Sequence, residues 1–432
     1  MKKFLETPKN MAEKDIKFTH AKTGFGQELI YGQILISSFF FGFFVSKFTK
    51  PGLQRRLAVS SFGLLLIYLS AGVQILHSLF SFFMIYGIIR VRTSKPTVSK
   101  TTTEWLCFTA TLLYLLFFRI CHDFLPNYFN KISPFANVVQ LIMTLRLISY
   151  GFEHSDTKTF TGFLDFFTYS YSYLGLFSGP FYRRNVFNDF INNEKTESIP
   201  IKNHLIETLK PLPLTVILYF ALKTFMPVDY YRSESFLSNS AWLNVLFMQV
   251  QFAWCRYRFY TAWILAESTC ISARLGAYEV SRQSRPGLGP KLSVEDAAKE
   301  KENSEVGTYD FNTIWNLKKL VCEFNPSIRQ CMRDWNCSVQ WWLANYTYKK
   351  VPQSTHIVLR ISFTMFISAY WHGIAPGYFM GFMCVPLLTF TEDLVRKGFE
   401  KDFPVVYRNF LYLLKHWGGC VFIFHISFSS EN

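Results

Sequence analysis

The chain has 432 residues, half of them hydrophobic, with 47 phenylalanines and a formal charge of +15. Its length would allow two or three soluble domains, but apolar residues on this scale point to an integral membrane protein. The Lys and Arg residues are scattered between apolar runs, which excludes the single basic stripe of a nucleic-acid-binding protein and fits basic loops flanking membrane spans. Nine cysteines, an odd number with no C-x-x-C pair, include Cys107, Cys255, Cys384 and Cys420 inside apolar segments and read as free, buried thiols. No His/Cys cluster has zinc spacing, so no metal is expected.

In chain order, the first 28 residues alternate charges ("KKFLETPKNMAEKDIK") and lack the apolar stretch of a cleavable signal. They read as a polar N-terminal segment ahead of one membrane domain over residues 29–432, whose first span is its own anchor. A crossing helix needs about 20 apolar residues, so runs free of Asp, Glu, Lys and Arg are the useful unit. Residues 29–46 form one span. Residues 57–89 suffice for a tilted span plus a partial one, with a break expected at Gly72. The runs 105–118 and 132–145 each stop at an arginine, Arg119 and Arg146.

Residues 211–222 are marginal, 235–255 form a full span, and 259–273 continue it across Glu267. One sizeable polar loop follows, residues 281–312, rich in Pro, Gly and mixed charge. The run 361–391 is too long for one crossing, and its "HGIAPG" should end one helix and start another. A last run covers 416–430. The expected fold class is all-α: a polytopic membrane protein with roughly nine to eleven transmembrane or re-entrant helices.

A charged residue at the centre of a membrane helix costs about 2.5–3.5 kcal/mol on insertion scales, so polar residues in these runs call for a reason. In "HIVLRISFTMFISAYWHGIAPG", Arg360, Thr364, Ser368 and His372 recur every four residues. At about 100° per residue, Thr364, Ser368 and His372 share a face about 80° wide, which would suit a wet cavity. His372 ends this helix, and a neutral imidazole can accept a proton. The alternative is a core histidine bonded to a backbone carbonyl.

The stretch "MRDWNCSVQWWLANYTYKKVP", residues 332–352, reads as a helix with Trp335, Val339, Trp342 and Tyr346 on one face. Asn336, Gln340, Leu343 and Thr347 fall on the neighbouring face, one amide a turn from the other. Such an amide can donate to a developing oxyanion or orient a hydroxyl, or it can bond a neighbouring helix. "NCS" and "NYT" match the glycosylation pattern, but a glycan does not fit an aromatic membrane helix.

"RDWNCSVQWWLANYTYK" followed by "SAYWHGIAPGYF", with Asn336 and His372 separated by 36 positions, resembles the signature of the membrane-bound O-acyltransferases. "SYSYLGLFSGPFYRRNVFNDF" and "FYTAWILAESTCISARLGAYEV" resemble its lysophospholipid branch, most closely the lysophosphatidylinositol acyltransferases. The resemblance covers about residues 30–400. It implies a helical bundle around a buried tunnel in the endoplasmic reticulum membrane, with His372 as the catalytic histidine and Asn336 as its partner. It also implies acyl-CoA as co-substrate with no bound cofactor, a lysophospholipid acceptor drawn from the bilayer, and a polyunsaturated donor such as arachidonoyl. In that chemistry His372 takes the acceptor's hydroxyl proton, Asn336 orients the hydroxyl or steadies the oxyanion, and the tryptophans dry the site. Lys349 and Lys350 are candidates for the phosphates of CoA or of the lipid surface. Family members usually continue beyond "HWGGCVFIFHISFSSEN", so the chain is expected to be a shortened form.

Other classes fare worse. None of the nine histidines has an Asp five residues on, as H-x-x-x-x-D acyltransferases require. "GLFSG" lacks G-x-S-x-G spacing, so Ser178 reads as a turn residue rather than a nucleophile. Within the family, another lysophospholipid, a sterol or a protein could be the acceptor. A transporter, whose intramembrane polar groups would line a pathway, is the more distant rival.

Overall fold

Helices dominate because backbone donors and acceptors inside a bilayer find no water and must pair within their own segment. The computed structural model describes residues 8–95, 97–154, 162–225, 227, 230, 231, 233–299, 308–317, 323, 325 and 327–399, with side chains from residue 26 onward except at 298 and 399. The expected last run, 416–430, and the expected shortened end lie outside these residues, as do Cys420 and the first seven residues of the N-terminal segment.

The first helix, α1 (Pro8–Phe48), runs unbroken from the polar segment into the first span. Next come α2 (Leu53–Ala71) and α3 (Ile75–Ser94), separated by a short 3₁₀ turn at Gly72–Gln74. Gly72 has φ 57°, a left-handed conformation that glycine adopts without steric cost, and this is the expected break. Then follow α4 (Lys100–Phe124), α5 (Pro134–His154), α6 (Phe163–Tyr171), α7 (Arg184–Asn192), α8 (Lys202–Leu209) and α9 (Leu212–Phe225). After α10 (Glu234–Leu237) comes α11 (Ala241–Ala273), which joins the runs 235–255 and 259–273 into one helix of 33 residues. At about 1.5 Å per residue it spans roughly 50 Å, more than a hydrocarbon core about 30 Å thick.

The polar loop is partly ordered: β1 (Tyr278–Glu279) pairs antiparallel with β2 (Tyr309–Asp310), and α12 (Val294–Lys299) lies between them. The chain continues with α13 (Ile328–Asp334), α14 (Cys337–Tyr346), α15 (Ile357–His372) and α16 (Pro376–Phe399). The 361–391 run thus divides at "HGIAPG", as its glycines and proline require. Among the described residues, six segments are long and apolar enough to cross a membrane: Gly26–Phe48, Leu53–Ser94, Lys100–Phe124, Pro134–His154, Lys202–Phe225 and Pro376–Gly398. The long α11 and the 16-residue α15 stand beside this set. Large side chains such as Phe40, Leu113, Ile217 and Leu387 are exposed on the outer surface, where they meet lipid.

Two bundles meet in the structure. In one, α1 packs along α11, and α11 along α9. A Cβ at Gly42 would come within 2.0 Å of Ser272 Oγ, so only glycine allows α1 and α11 this close, and Ser272 donates across the gap to the carbonyl of Phe39 at 2.9 Å. In the other, α3, α4 and α5 pack together, with α2 and α6 on their flank. The core here is α5, on which 16 of 21 residues are buried.

The runs that were expected to stop at Arg119 and Arg146 do not. Both α4 and α5 pass through the arginine, because each guanidinium finds acceptors inside the protein instead of leaving the bilayer. Arg146 is 1% exposed and donates to the carbonyls of Tyr169 (3.2 Å), Ser170 (2.9 Å), Ser172 (2.9 Å) and Leu174 and to the hydroxyl of Tyr182 (3.1 Å). Those carbonyls belong to the last turn of α6 and the segment after it, the part of a helix that lacks partners of its own. Arg55, 2% exposed, serves the end of α7 in the same way through the carbonyls of Phe190 (2.8 Å) and Asn193 (3.0 Å).

Replacing Arg146 with Met should leave these buried carbonyls without donors, at a cost on the order of 3 kcal/mol. The expected outcome is a lower thermal midpoint and reduced monodisperse recovery in detergent. Arg146→Lys should rescue little, since one ammonium cannot fan over acceptors spread this widely.

Candidate active site

The stretch 332–352 is not one continuous helix. Trp335 is extended (φ −102°, ψ 129°) between α13 and α14, and Asn336 opens α14 in the left-handed region with φ 47° and ψ 47°. Asparagine is among the few non-glycine residues that visit this region readily. Asn336 thus precedes the helix instead of lying within it, while Gln340 still follows one turn on: Gln340 N donates to the Asn336 carbonyl at 3.0 Å, and Gln340 Nε2 donates to the Trp335 carbonyl at 2.9 Å. The chain breaks here because Trp335 forms a β-bridge with Leu317 and the N–H of Cys337 donates to the Asn316 carbonyl at 2.9 Å. The side-chain amide of Asn336 does not cap the helix it opens.

Beyond that turn α14 behaves as its pattern predicts, with Val339, Trp342 and Tyr346 buried. Trp342 Nε1 donates to the Leu145 carbonyl of α5 at 3.0 Å. Tyr346 donates to Glu153 Oε1 at 2.7 Å, and Arg183 Nε meets the same oxygen at 2.8 Å. Arg183 also lies over the Trp341 ring, 5.8 Å from its centroid.

On α15, Thr364 and Ser368 are buried, and the Thr364 hydroxyl donates back to the Arg360 carbonyl at 2.9 Å. The face expected to line a wet cavity is thus packed in protein along those two turns. His372, the last residue of α15, is half-buried in an aromatic enclosure: Phe382 stacks at 4.9 Å, Tyr378 lies near-parallel at 6.3 Å, and Trp371 meets it edge-on at 4.6 Å. Such walls cover part of the ring and leave the imidazole able to exchange a proton with a hydroxyl brought to it.

Two indoles bring the segments together. Trp371, next to His372, donates from Nε1 to the Leu141 carbonyl at 2.9 Å, one helical turn along α5 from the Leu145 carbonyl that Trp342 uses. The helices α14 and α15 also pack on each other. The Asn and His motifs, 36 positions apart in sequence, therefore share one supporting helix. Arg119 completes the support by donating from both terminal nitrogens to the carbonyls of Tyr370 and Trp371, the open end of α15 immediately before His372. Sequence reasoning treated Arg119 as the edge of a span; the sign of a different role was its place within an otherwise apolar helix.

Of the two lysines, Lys350 pairs with Glu104 at 3.2 Å and lies 4.4 Å from the Phe152 ring centroid, so its charge is already engaged. Lys349 is exposed and donates to Asn345 Oδ1 at 2.9 Å. Ser178 stands in the tight turn closed by Gly179 N donating to the Gly175 carbonyl at 3.0 Å, as expected of a turn residue.

Residues 94–428 match the model of the membrane-bound O-acyltransferase family. The chain is 34% identical over 397 residues to the membrane-bound acylglycerophosphatidylinositol O-acyltransferase mboat7 of Xenopus laevis, covering 87% of this chain and 81% of that protein. It is 35% identical over 387 residues to mboat7 of Danio rerio, with 84% and 79% covered. Against MBOAT7 of Homo sapiens the identity is 32% over 388 residues, with 85% and 79% covered. This chain belongs to the membrane-bound O-acyltransferase family and is a multi-pass membrane O-acyltransferase.

Replacing Arg119 with Met should fray the last turn of α15 by removing the donors at its open end. In hydrogen-exchange mass spectrometry, peptides covering 366–374 should exchange faster than in the parent protein. Peptides from α6, whose end Arg146 holds, should be unchanged.

Proposed function

We propose that this protein transfers a fatty acyl chain from acyl-CoA to the free hydroxyl of lysophosphatidylinositol, in the endoplasmic reticulum membrane. The observation that carries the acceptor is the name shared by relatives matched over more than four-fifths of this chain, each an acylglycerophosphatidylinositol O-acyltransferase. His372 and Asn336 are the residues we assign to the chemistry. Support comes from their motif helices being docked on adjacent turns of α5 and from the aromatic side chains packed around the imidazole. Residues 29–432 act as one membrane domain in this reading.

In the reaction, His372 takes the proton of the lysolipid hydroxyl as its oxygen attacks the thioester carbonyl. Negative charge then develops on the carbonyl oxygen, and the Asn336 amide donates to it. Collapse of the tetrahedral species breaks the carbon–sulfur bond, and the imidazolium returns the proton to the leaving thiolate. A positioned base contributes about 10²–10⁴-fold and one oxyanion donor about 10²–10³-fold.

The test uses purified protein with acyl-CoA and a panel of acceptors. Lysophosphatidylinositol should be acylated faster than lysophosphatidylcholine, and equal rates overturn the head-group assignment. His372→Gln, which keeps a polar side chain but no base, should lose at least about 10²-fold in kcat, and retention of a tenth of the parent rate makes His372 a structural residue. Asn336→Asp should not rescue the loss seen in Asn336→Ala, because a carboxylate repels an oxyanion.

A further inference from the structure

Glu267 lies in α11 and is 2% exposed, a carboxylate inside an otherwise apolar part of the helix. Its Oε1 accepts the backbone N–H groups of Asn316 at 2.8 Å and Leu317 at 3.3 Å. Those same two residues fix the turn at Asn336. Leu317 forms the β-bridge to Trp335, the residue before it, and the Asn316 carbonyl accepts the N–H of Cys337, the residue after it. The Asn316 side chain adds a further tie: its Oδ1 accepts from Ser338 Oγ at 2.8 Å, and Ser338 Oγ in turn accepts the N–H of Phe181 at 3.0 Å. Asn316 and Ser338 are almost fully buried, so water does not compete for these bonds.

From this chain of contacts we infer that Glu267 is a positioning residue for Asn336, acting through the backbone of residues 316 and 317 to hold the left-handed turn that aims the Asn336 amide. The inference rests on the catalytic role given to Asn336 above. The left-handed backbone is not what a residue entering a helix adopts by default, so it persists where both neighbours are tied down. On one side the tie is the Leu317 bridge, on the other the Asn316 carbonyl, and Glu267 grips the peptide groups of both residues. A carboxylate suits this task because a charge-assisted acceptor binds N–H donors about twice as strongly as a neutral one. Glu267 touches no reacting atom in this account; it fixes where the oxyanion donor stands.

The experiment measures kcat and KM of the full chain for lysophosphatidylinositol and acyl-CoA. A misplacement of about 1 Å costs up to roughly 10²-fold in rate, so Glu267→Ala should lower kcat about 10- to 100-fold with both KM values within about twofold of the parent. Glu267→Gln retains a carbonyl that can accept both N–H groups, and its kcat should return to within about fivefold of the parent. If Gln is as poor as Ala, the acceptor role is overturned. In an Asn336→Ala background, Glu267→Ala should add less than about a threefold further loss, whereas a multiplicative loss overturns the inference. Should Glu267→Ala fail to fold, Ser338→Ala, which removes a single hydroxyl from the same chain, must show the same kcat loss and the same absence of further loss without Asn336. Hydrogen exchange supplies a readout independent of turnover: peptides over 333–340 should exchange faster in Glu267→Ala, while those over 357–372 should not, and an unchanged 333–340 overturns the inference. If Asn336→Ala is itself near the parent rate, the catalytic reading of Asn336 fails, and the inference falls with it by a different and recognisable result.

Discussion

The structure depends on buried charges spent on backbone ends. A helix leaves its last four carbonyls and first four N–H groups unpaired, and inside a bilayer there is no water to meet them. This protein closes such ends with side chains from elsewhere in the fold: Arg146 at the end of α6, Arg55 at the end of α7 and Arg119 at the end of α15. Carboxylates do the converse, with Glu392 of α16 accepting the N–H of Arg329 at the start of α13 and Glu267 accepting those of residues 316 and 317. For the three arginines and for Glu392 the polarity also agrees with the helix dipole, cations at C-termini and an anion at an N-terminus, whereas Glu267 holds N–H groups of a non-helical segment. The short, interrupted helices that this permits are what a site built from helix ends requires.

Both motif segments illustrate the point. His372 is the last residue of a helix and Asn336 the residue that opens one, so neither sits where regular hydrogen bonding alone would hold it. Rigidity comes from α5, whose carbonyls at 141 and 145 receive the two indoles, and from Arg119 and Asn316 at the chain ends themselves. Tryptophan is apt here because it delivers a large apolar surface and a single donor that must find an acceptor when buried. The aromatic wealth of the Asn stretch thus has two uses, with Trp342 as an anchor and Trp335 packing edge-on against Trp263 of α11 at 4.9 Å.

What the sequence made legible follows from which interactions are local. The break at Gly72 and the division at "HGIAPG" were readable because glycine and proline act through their own backbone. The buried stripe of Val339, Trp342 and Tyr346 was readable because helical period alone sets it. The motifs of Asn336 and His372 stood out by their residues and order. Arg119 and Arg146 were misjudged as span ends because a charge inside a membrane helix reads as a boundary until its acceptors are known. Those acceptors lie 23 to 36 residues away for Arg146 and 251 to 252 for Arg119. The helical placement of Asn336 failed for the same reason: the Leu317 bridge that pulls Trp335 out of the helix is invisible to periodicity. Thr364 and Ser368 suggested a wet face by spacing, but neighbouring protein covers them.

The reach of Arg119 also orders events during biosynthesis. When α4 enters the bilayer its guanidinium has no carbonyl to meet, since Tyr370 and Trp371 emerge from the ribosome about 250 residues later. At 5–20 residues per second that interval is on the order of tens of seconds, during which the guanidinium, close to the C-terminal end of α4, has the membrane interface to reach toward. Arg146, whose acceptors follow within 36 residues, can be satisfied almost as soon as its helix is made. The contact between Arg119 and the end of α15 therefore forms only after the histidine helix has been synthesised. Translation order and site assembly are linked through one side chain.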